Sequence, residues 1–283
     1  MDKRQVLDKI ETSPNFPKIP RELSDIITML QEPTKVEIDD LVDKIITVEN
    51  LEDMIIEYIN SEYFKLKRKL NSLKEAIIYL GISTMQVIII ATISSNLFPA
   101  KLNDSKKISY LKHTIGTAAA SCAIAESIGG YDRYEIFSYG LLHDIGVVVI
   151  DNCCPELMED ILEIMKRGNH QIVAEKIVLG GLTHSDIGAW LCTKLNLPSN
   201  ISNVIKNHHW PSKTEENNSV IDLIYMGDFI STRYYETLLE INLLIKQNLI
   251  MKNPLNISNE LIDEISNSLP EEVDKVIPLF KRF

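Results

Sequence analysis

The sequence predicts an all-α fold, and three observations point there. Glycine is scarce, at 11 of 283 residues, which disfavours turn-rich sandwiches, barrels and propellers. Apolar residues recur at helical spacing through most of the chain. The one segment dense in strand formers, Val87 to Ile93, finds no partner strand anywhere else. Hydrophobic residues at 45% and charged residues at 24% fit a folded chain, and one of this length buries about 75% of its unfolded surface without disulfides or structural metal.

In order, Pro14, Pro17 and Pro20 predict an extended segment from Ser13 to Pro20. Leu23, Ile26, Ile27 and Leu30 then predict a helix that Pro33 stops. Leu41, Ile45, Ile46 and Val48 form a second apolar stripe. Leu51, Met54, Ile55, Tyr58 and Ile59 form a third, ending near Asn60-Ser61. The basic run Lys65 to Lys69 reads as a solvated loop. Ser72, with Glu75 three residues on, has the pattern of a capping box opening a helix toward Gly81. Residues 83–98 read as a helix apolar on all sides, which suits the centre of a helical fold. A polar break from Pro99 to Lys107 suggests a boundary near residue 105, and the small residues Gly116 to Ala120 beyond it suit close helix packing. The expected organisation is an N-terminal helical subdomain over residues 1–105, a helical subdomain over 106–240 carrying the histidines, and a helical extension over 241–283.

Lys and Arg number 29 against 40 Asp and Glu, a net charge of −11. That balance disfavours binding to nucleic acid. Cys122, Cys153, Cys154 and Cys192 lack the C-x-x-C spacing and read as reduced, buried packing residues. Met1 to Gln5 lead into no signal-peptide core, and the longest apolar run is far short of the roughly 18 residues of a membrane span. A cytoplasmic protein without membrane contact is the expectation.

The sharpest local string is Gly140 to Gly146, which sets His143-Asp144 among apolar residues. Such a pair needs hydrogen bonds or a cation to offset its burial. His113, His184, His208, His209 and Asp228 extend the set, each in a stretch that reads as helix. Asp228 follows Ile221, Ile224 and Tyr225 on one apolar stripe, so its carboxylate requires a partner. His113 shares a face with Gly116, Thr117 and Ala120, which points it at a close helix contact. His184 follows Thr183, a plausible N-cap, with Asp186 completing the cap, so its ring is expected to open at the helix mouth. His143 and Asp144, about 100° apart on a helix, could both reach an ion beside its axis. Imidazoles with carboxylates suit Fe, Mn, Ni or Zn, one or two ions, and a bridged pair would serve phosphoester hydrolysis. His170 reads as part of a polar loop, and Asp151, Asp186 and Asp222 as caps or surface charges.

The order H, HD, H, HH, D resembles the HD superfamily of metal-dependent phosphohydrolases, and the flanking text resembles its HDOD family of bacterial signalling output domains. The matching strings are Pro17-Lys18-Ile19-Pro20, Asn60-Ser61 with Tyr63, Ser72 to Ile77 with Leu80-Gly81, Gly140 to Gly146, His184 with Gly188-Ala189, Leu197-Pro198, and His208-His209-Trp210-Pro211. Together they span roughly residues 14–235. The resemblance implies a helical HD-type bundle and a regulatory module rather than a well-defined enzyme, acting through a signalling protein partner or a small phosphorylated ligand. It also implies metal positions at His113, His143, Asp144, His184, His208, His209 and Asp228. The related HD-GYP phosphodiesterases carry a lysine where this chain has Val147, and a Gly-Tyr-Pro signature where it has Trp210-Pro211-Ser212-Lys213. Cyclic di-GMP hydrolysis is therefore not expected. A metal-dependent phosphohydrolase acting on nucleotides or cyclic nucleotides is the alternative, and a metal-free helical adaptor is a third. No receiver, kinase or helix-turn-helix pattern stands in the chain, so input is expected from a separate partner or ligand.

Overall fold

The structure is a computed structural model that describes residues 1–97, 105–211, 219–235 and 253–280. Among the described residues there are helices and turns but no strands. The N-terminal helices are α1 (Lys3–Glu11), α2 (Arg21–Met29), α3 (Ile38–Ile46), α4 (Leu51–Ile59), α5 (Leu73–Leu80) and α6 (Ile82–Leu97). There follow α7 (Ser105–Ile128), α8 (Arg133–Leu142), α9 (Ile145–Cys153), α10 (Pro155–Lys166) and α11 (Gln171–Val178). The last are α12 (His184–Lys194), α13 (Ser199–Asn207), α14 (Ser219–Tyr235) and α15 (Asn259–Phe280). The expected boundary near residue 105 adjoins residues 98–104, and the expected extension includes 241–252. Both stretches lie outside the described residues, as do Ser212-Lys213.

The segment rich in strand formers is helical. In α6, Val87, Ile88, Ile89 and Ile90 are all fully buried. A β-branched residue in a helix costs under about 0.7 kcal/mol, whereas burying its side chain contributes about 1.5–3 kcal/mol, so burial decides. One hydrophobic cluster runs from Val6 in α1 to Ile277 in α15. The stretch Arg133–Cys153 is long and apolar enough to cross a membrane by composition, but it is 72% buried within the fold.

Helix α7 packs against α8, α14 and α15, while α12 packs against α9 and α13. Three glycines allow the closest of these approaches. A Cβ on Gly140 would overlap the Ala118 backbone of α7, one on Gly227 would strike Ser121 Oγ of α7, and one on Gly146 would strike the His184 carbonyl oxygen of α12. Each lies within three residues of a histidine or aspartate singled out by the sequence.

Two local expectations change. Ser13 to Phe16 is closed into a turn by the Phe16 N–H on the Ser13 carbonyl (3.0 Å), Pro14 being well suited to a turn's second position. The extended run is only 17–20. Ser72 does cap α5, accepting from the Glu75 N–H at 3.2 Å, but Glu75 accepts from the Asn71 N–H instead of closing the box.

Candidate metal centre

Seven side chains converge where α7, α9, α12, α13 and α14 meet. His113 comes from α7 and Asp228 from α14, His184 opens α12, and His208-His209 follow α13. His143 and Asp144 do not lie on one helix as the sequence suggested. They form the break between α8 and α9, with His143 as the C-cap of one and Asp144 (φ −102°, ψ 18°) as the N-cap of the other. The reason is local. The His143 ring takes the Gly140 carbonyl (2.7 Å), which in an unbroken helix would serve the Asp144 N–H.

That hydrogen bond also sets the tautomer. A carbonyl only accepts, so His143 Nδ1 carries a proton and Nε2 is left to face the cluster. His208 Nδ1 likewise donates to the Ile205 carbonyl at 2.8 Å. His184 Nδ1 faces both oxygens of Glu175, at 2.7 and 2.9 Å. The Nε2 atoms turn inward. His184 Nε2 stands 2.9 Å from His209 Nε2 and 3.4 Å from His208 Nε2.

Asp144 lies between two groups of donors. Its Oδ1 is 3.1 Å from His184 Nε2 and 3.5 Å from His208 Nε2, and its Oδ2 is 3.4 Å from both His113 Nε2 and His143 Nε2. Asp228 makes a second span, with Oδ1 3.4 Å from His113 Nε2 and Oδ2 3.5 Å from His209 Nδ1. Asp144, His184, His208 and His209 offer atoms within 4.8 Å of one another, as do His113, His143 and Asp228. Donors bound at about 2.0–2.2 Å stand about 4 Å apart across an ion, so both groups have the right span. Among the described residues, His143 Nε2 and Asp144 Oδ1 are sealed from water without a hydrogen bond. Buried polar atoms rarely stay unsatisfied, and a cation in each donor group would satisfy one of them. The donor set therefore fits divalent metal.

Electrostatics agree with this arrangement. Burial works to raise the Asp144 carboxyl, but the His143 and His184 imidazoles outweigh it and hold it well below the usual range. Burial works to lower His184, yet Glu175 and Asp144 hold it well above the ordinary imidazole value. Burial, reinforced by neighbouring imidazoles, pushes His209 well down.

His184 is 1% exposed, which corrects the expectation of a ring open at the helix mouth: Thr183 and Asp186 do form the capping box, but Glu175 folds the ring inward. His170 caps α11, accepting from the Ile172 N–H at 3.2 Å. Asp222, in the first turn of α14, is half-buried, and among the described residues its Oδ1 has no hydrogen-bond partner. Three supporting residues were not singled out by the sequence reading: Glu175, Tyr110, whose hydroxyl donates to the Asp144 carbonyl (2.9 Å), and Ser231, whose hydroxyl donates to the His113 carbonyl (2.8 Å). Glu175 carried a signal, since it follows Ile172 by three residues and precedes Leu179 by four, the same stripe argument that singled out Asp228.

The model of the HDOD domain family matches residues 16–211. An HDOD domain protein of unknown function from Geobacter sulfurreducens has a similar structure, with TM-score 0.67 and 21% identity, covering 98% of this chain and 99% of that one. A protein provisionally named a phosphohydrolase from Shewanella amazonensis superposes with TM-score 0.69 and 18% identity, covering 98% and 97%. A third, provisionally assigned to signal transduction in Marinobacter aquaeolei, gives TM-score 0.62 and 18% identity, covering 99% of this chain and 65% of that one. An uncharacterised protein of Treponema pallidum is 25% identical over 222 residues, and the match takes in 77% of this chain but 42% of that relative. The structural likenesses establish a shared fold, and the family match extends over well more than half of the sequence: the chain belongs to the HDOD domain family.

Proposed function

We propose that this protein is a regulatory module of bacterial signalling whose helical frame holds one or two divalent ions, Fe, Mn, Ni or Zn, on His113, His143, Asp144, His184, His208, His209 and Asp228. The observation that carries the reading is the position of Asp144, with one carboxylate oxygen toward each group of imidazoles. Its partners are a signalling protein or a small phosphorylated ligand. Among the described residues, the ion pairs of Asp144 and Asp228 are all with imidazoles. Val147 supplies no cation where the cyclic di-GMP phosphodiesterases carry lysine, which supports regulation over that hydrolysis.

A second reading, metal-dependent phosphohydrolase, is favoured by one observation: His113 and His209 are 18% and 22% exposed, leaving one side of the cluster open to a ligand. Divalent ions there would supply Lewis-acid polarisation of a phosphoryl oxygen and a more acidic water. His143, His184 and His208 would hold the ions from the buried side, and Glu175 and the Gly140 and Ile205 carbonyls would keep those rings oriented. Metal-loaded protein assayed against a panel of nucleotides and cyclic nucleotides separates the two. Retained metal without turnover is the expected result. Turnover that Asp144→Ala abolishes would replace regulation with catalysis.

A further inference from the structure

Glu175 is 1% exposed and makes no ion pair with lysine or arginine among the described residues. Its carboxylate is directed almost wholly at one residue. Oε2 accepts from the His184 backbone N–H (2.9 Å), both oxygens face His184 Nδ1, and Gln171 Nε2 donates to Oε1 (2.8 Å). Backbone and ring of His184 are thus held by the same group, so rotation of the imidazole about its Cβ would break a charge-assisted hydrogen bond. The other rings are held differently. His143 and His208 lean on neutral carbonyls, His113 Nδ1 stands 3.4 Å from Ser231 Oγ, and His209 Nδ1 stands 3.5 Å from Asp228 Oδ2, both longer contacts than the 2.7 Å of Glu175 to His184. A carboxylate behind a ligating imidazole fixes its tautomer and strengthens its other nitrogen as a donor.

We propose that Glu175 is the positioning residue for one ion only, the one within reach of Asp144, His184, His208 and His209, and that it makes this the tighter of two unequal positions. The inference rests on the metal reading above. In the group of His113, His143 and Asp228, no imidazole has a carboxylate behind Nδ1, so that position fills second.

The test is Co2+ titration of the metal-stripped full chain, followed by visible absorption and by elemental count, with far-UV circular dichroism to verify folding. Wild-type protein is expected to take up two Co2+ in two steps. Glu175→Gln, which keeps the shape and removes the charge, should weaken the first step by about 10–100-fold and leave the second. His113→Ala should do the reverse. Should Glu175→Gln fail to fold, Gln171→Ala keeps the carboxylate but frees it, and should weaken the same step by a smaller factor. A folded Glu175→Gln protein that binds both ions as wild type does, or loses both equally, would overturn the role of Glu175 while sparing the metal reading. Wild-type protein that takes up no Co2+ would overturn the metal reading, and the inference with it.

Discussion

Asp144 is the residue on which the two donor groups meet, so its loss should be felt at both. Asp144→Ala is expected to abolish uptake of either ion, measured by elemental analysis after dialysis against the metal, whereas His113→Ala should leave one. The cysteines offer an independent check on the packing. Cys122 and Cys192 are fully buried, and burial pushes each thiol up to about 12, with Cys153 at about 11. Thiolate is the reactive form, so a thiol reagent at neutral pH should modify the folded protein slowly and all four cysteines readily after denaturation. Fast labelling of the native chain would contradict the buried placement. Of the seven converging side chains, Asp228 and His113 were legible from the helix face they share with apolar or small residues, His184 from its cap and His143-Asp144 from their apolar flanks, while the set as a whole came from the family resemblance. Tyr110 was not legible, since its hydrogen bond reaches the Asp144 carbonyl only because the chain breaks there.

At the scale of elements, the site depends on helices that touch through glycine. Gly227 brings α14 against Thr117 and Ser121 of α7, setting Asp228 beside His113, and Gly146 brings α9 against the first turn of α12, setting Asp144 beside His184. Adding one methyl at Gly227 should cost about 1–3 kcal/mol by overpacking, read as a lower denaturant midpoint, and should weaken ion uptake with it. Thr183→Ala, which removes the cap of α12, should cost about 1 kcal/mol in the same measurement. The small residues of Gly116 to Ala120 announced a close contact, but the sequence did not say that α14 would fill it, because pairing between distant helices leaves no local trace. For α6 the apolar composition on all sides was informative and the strand propensity was not, since burial outweighs propensity.

For the whole molecule, ions held by five imidazoles and two carboxylates gathered in a fold of net charge −11 would link folding to ion binding. Ions that bind only the folded state stabilise it by about 2.7 kcal/mol at a free concentration about 100-fold above Kd, several degrees in Tm for a domain of this size. Chelation should therefore lower Tm in wild-type protein and leave it unchanged in Asp144→Ala, by calorimetry. Overall acidity would not oppose an anionic ligand at this site, because divalent ions held there would reverse the charge locally. The central claim is that the cluster is a divalent-ion site, and elemental analysis of protein purified without chelator or added metal tests it most directly. One or two ions of Fe, Mn, Ni or Zn per chain, with the content reduced in His143→Ala, is the predicted result. Metal-free protein whose stability is unaffected by His143→Ala would contradict it.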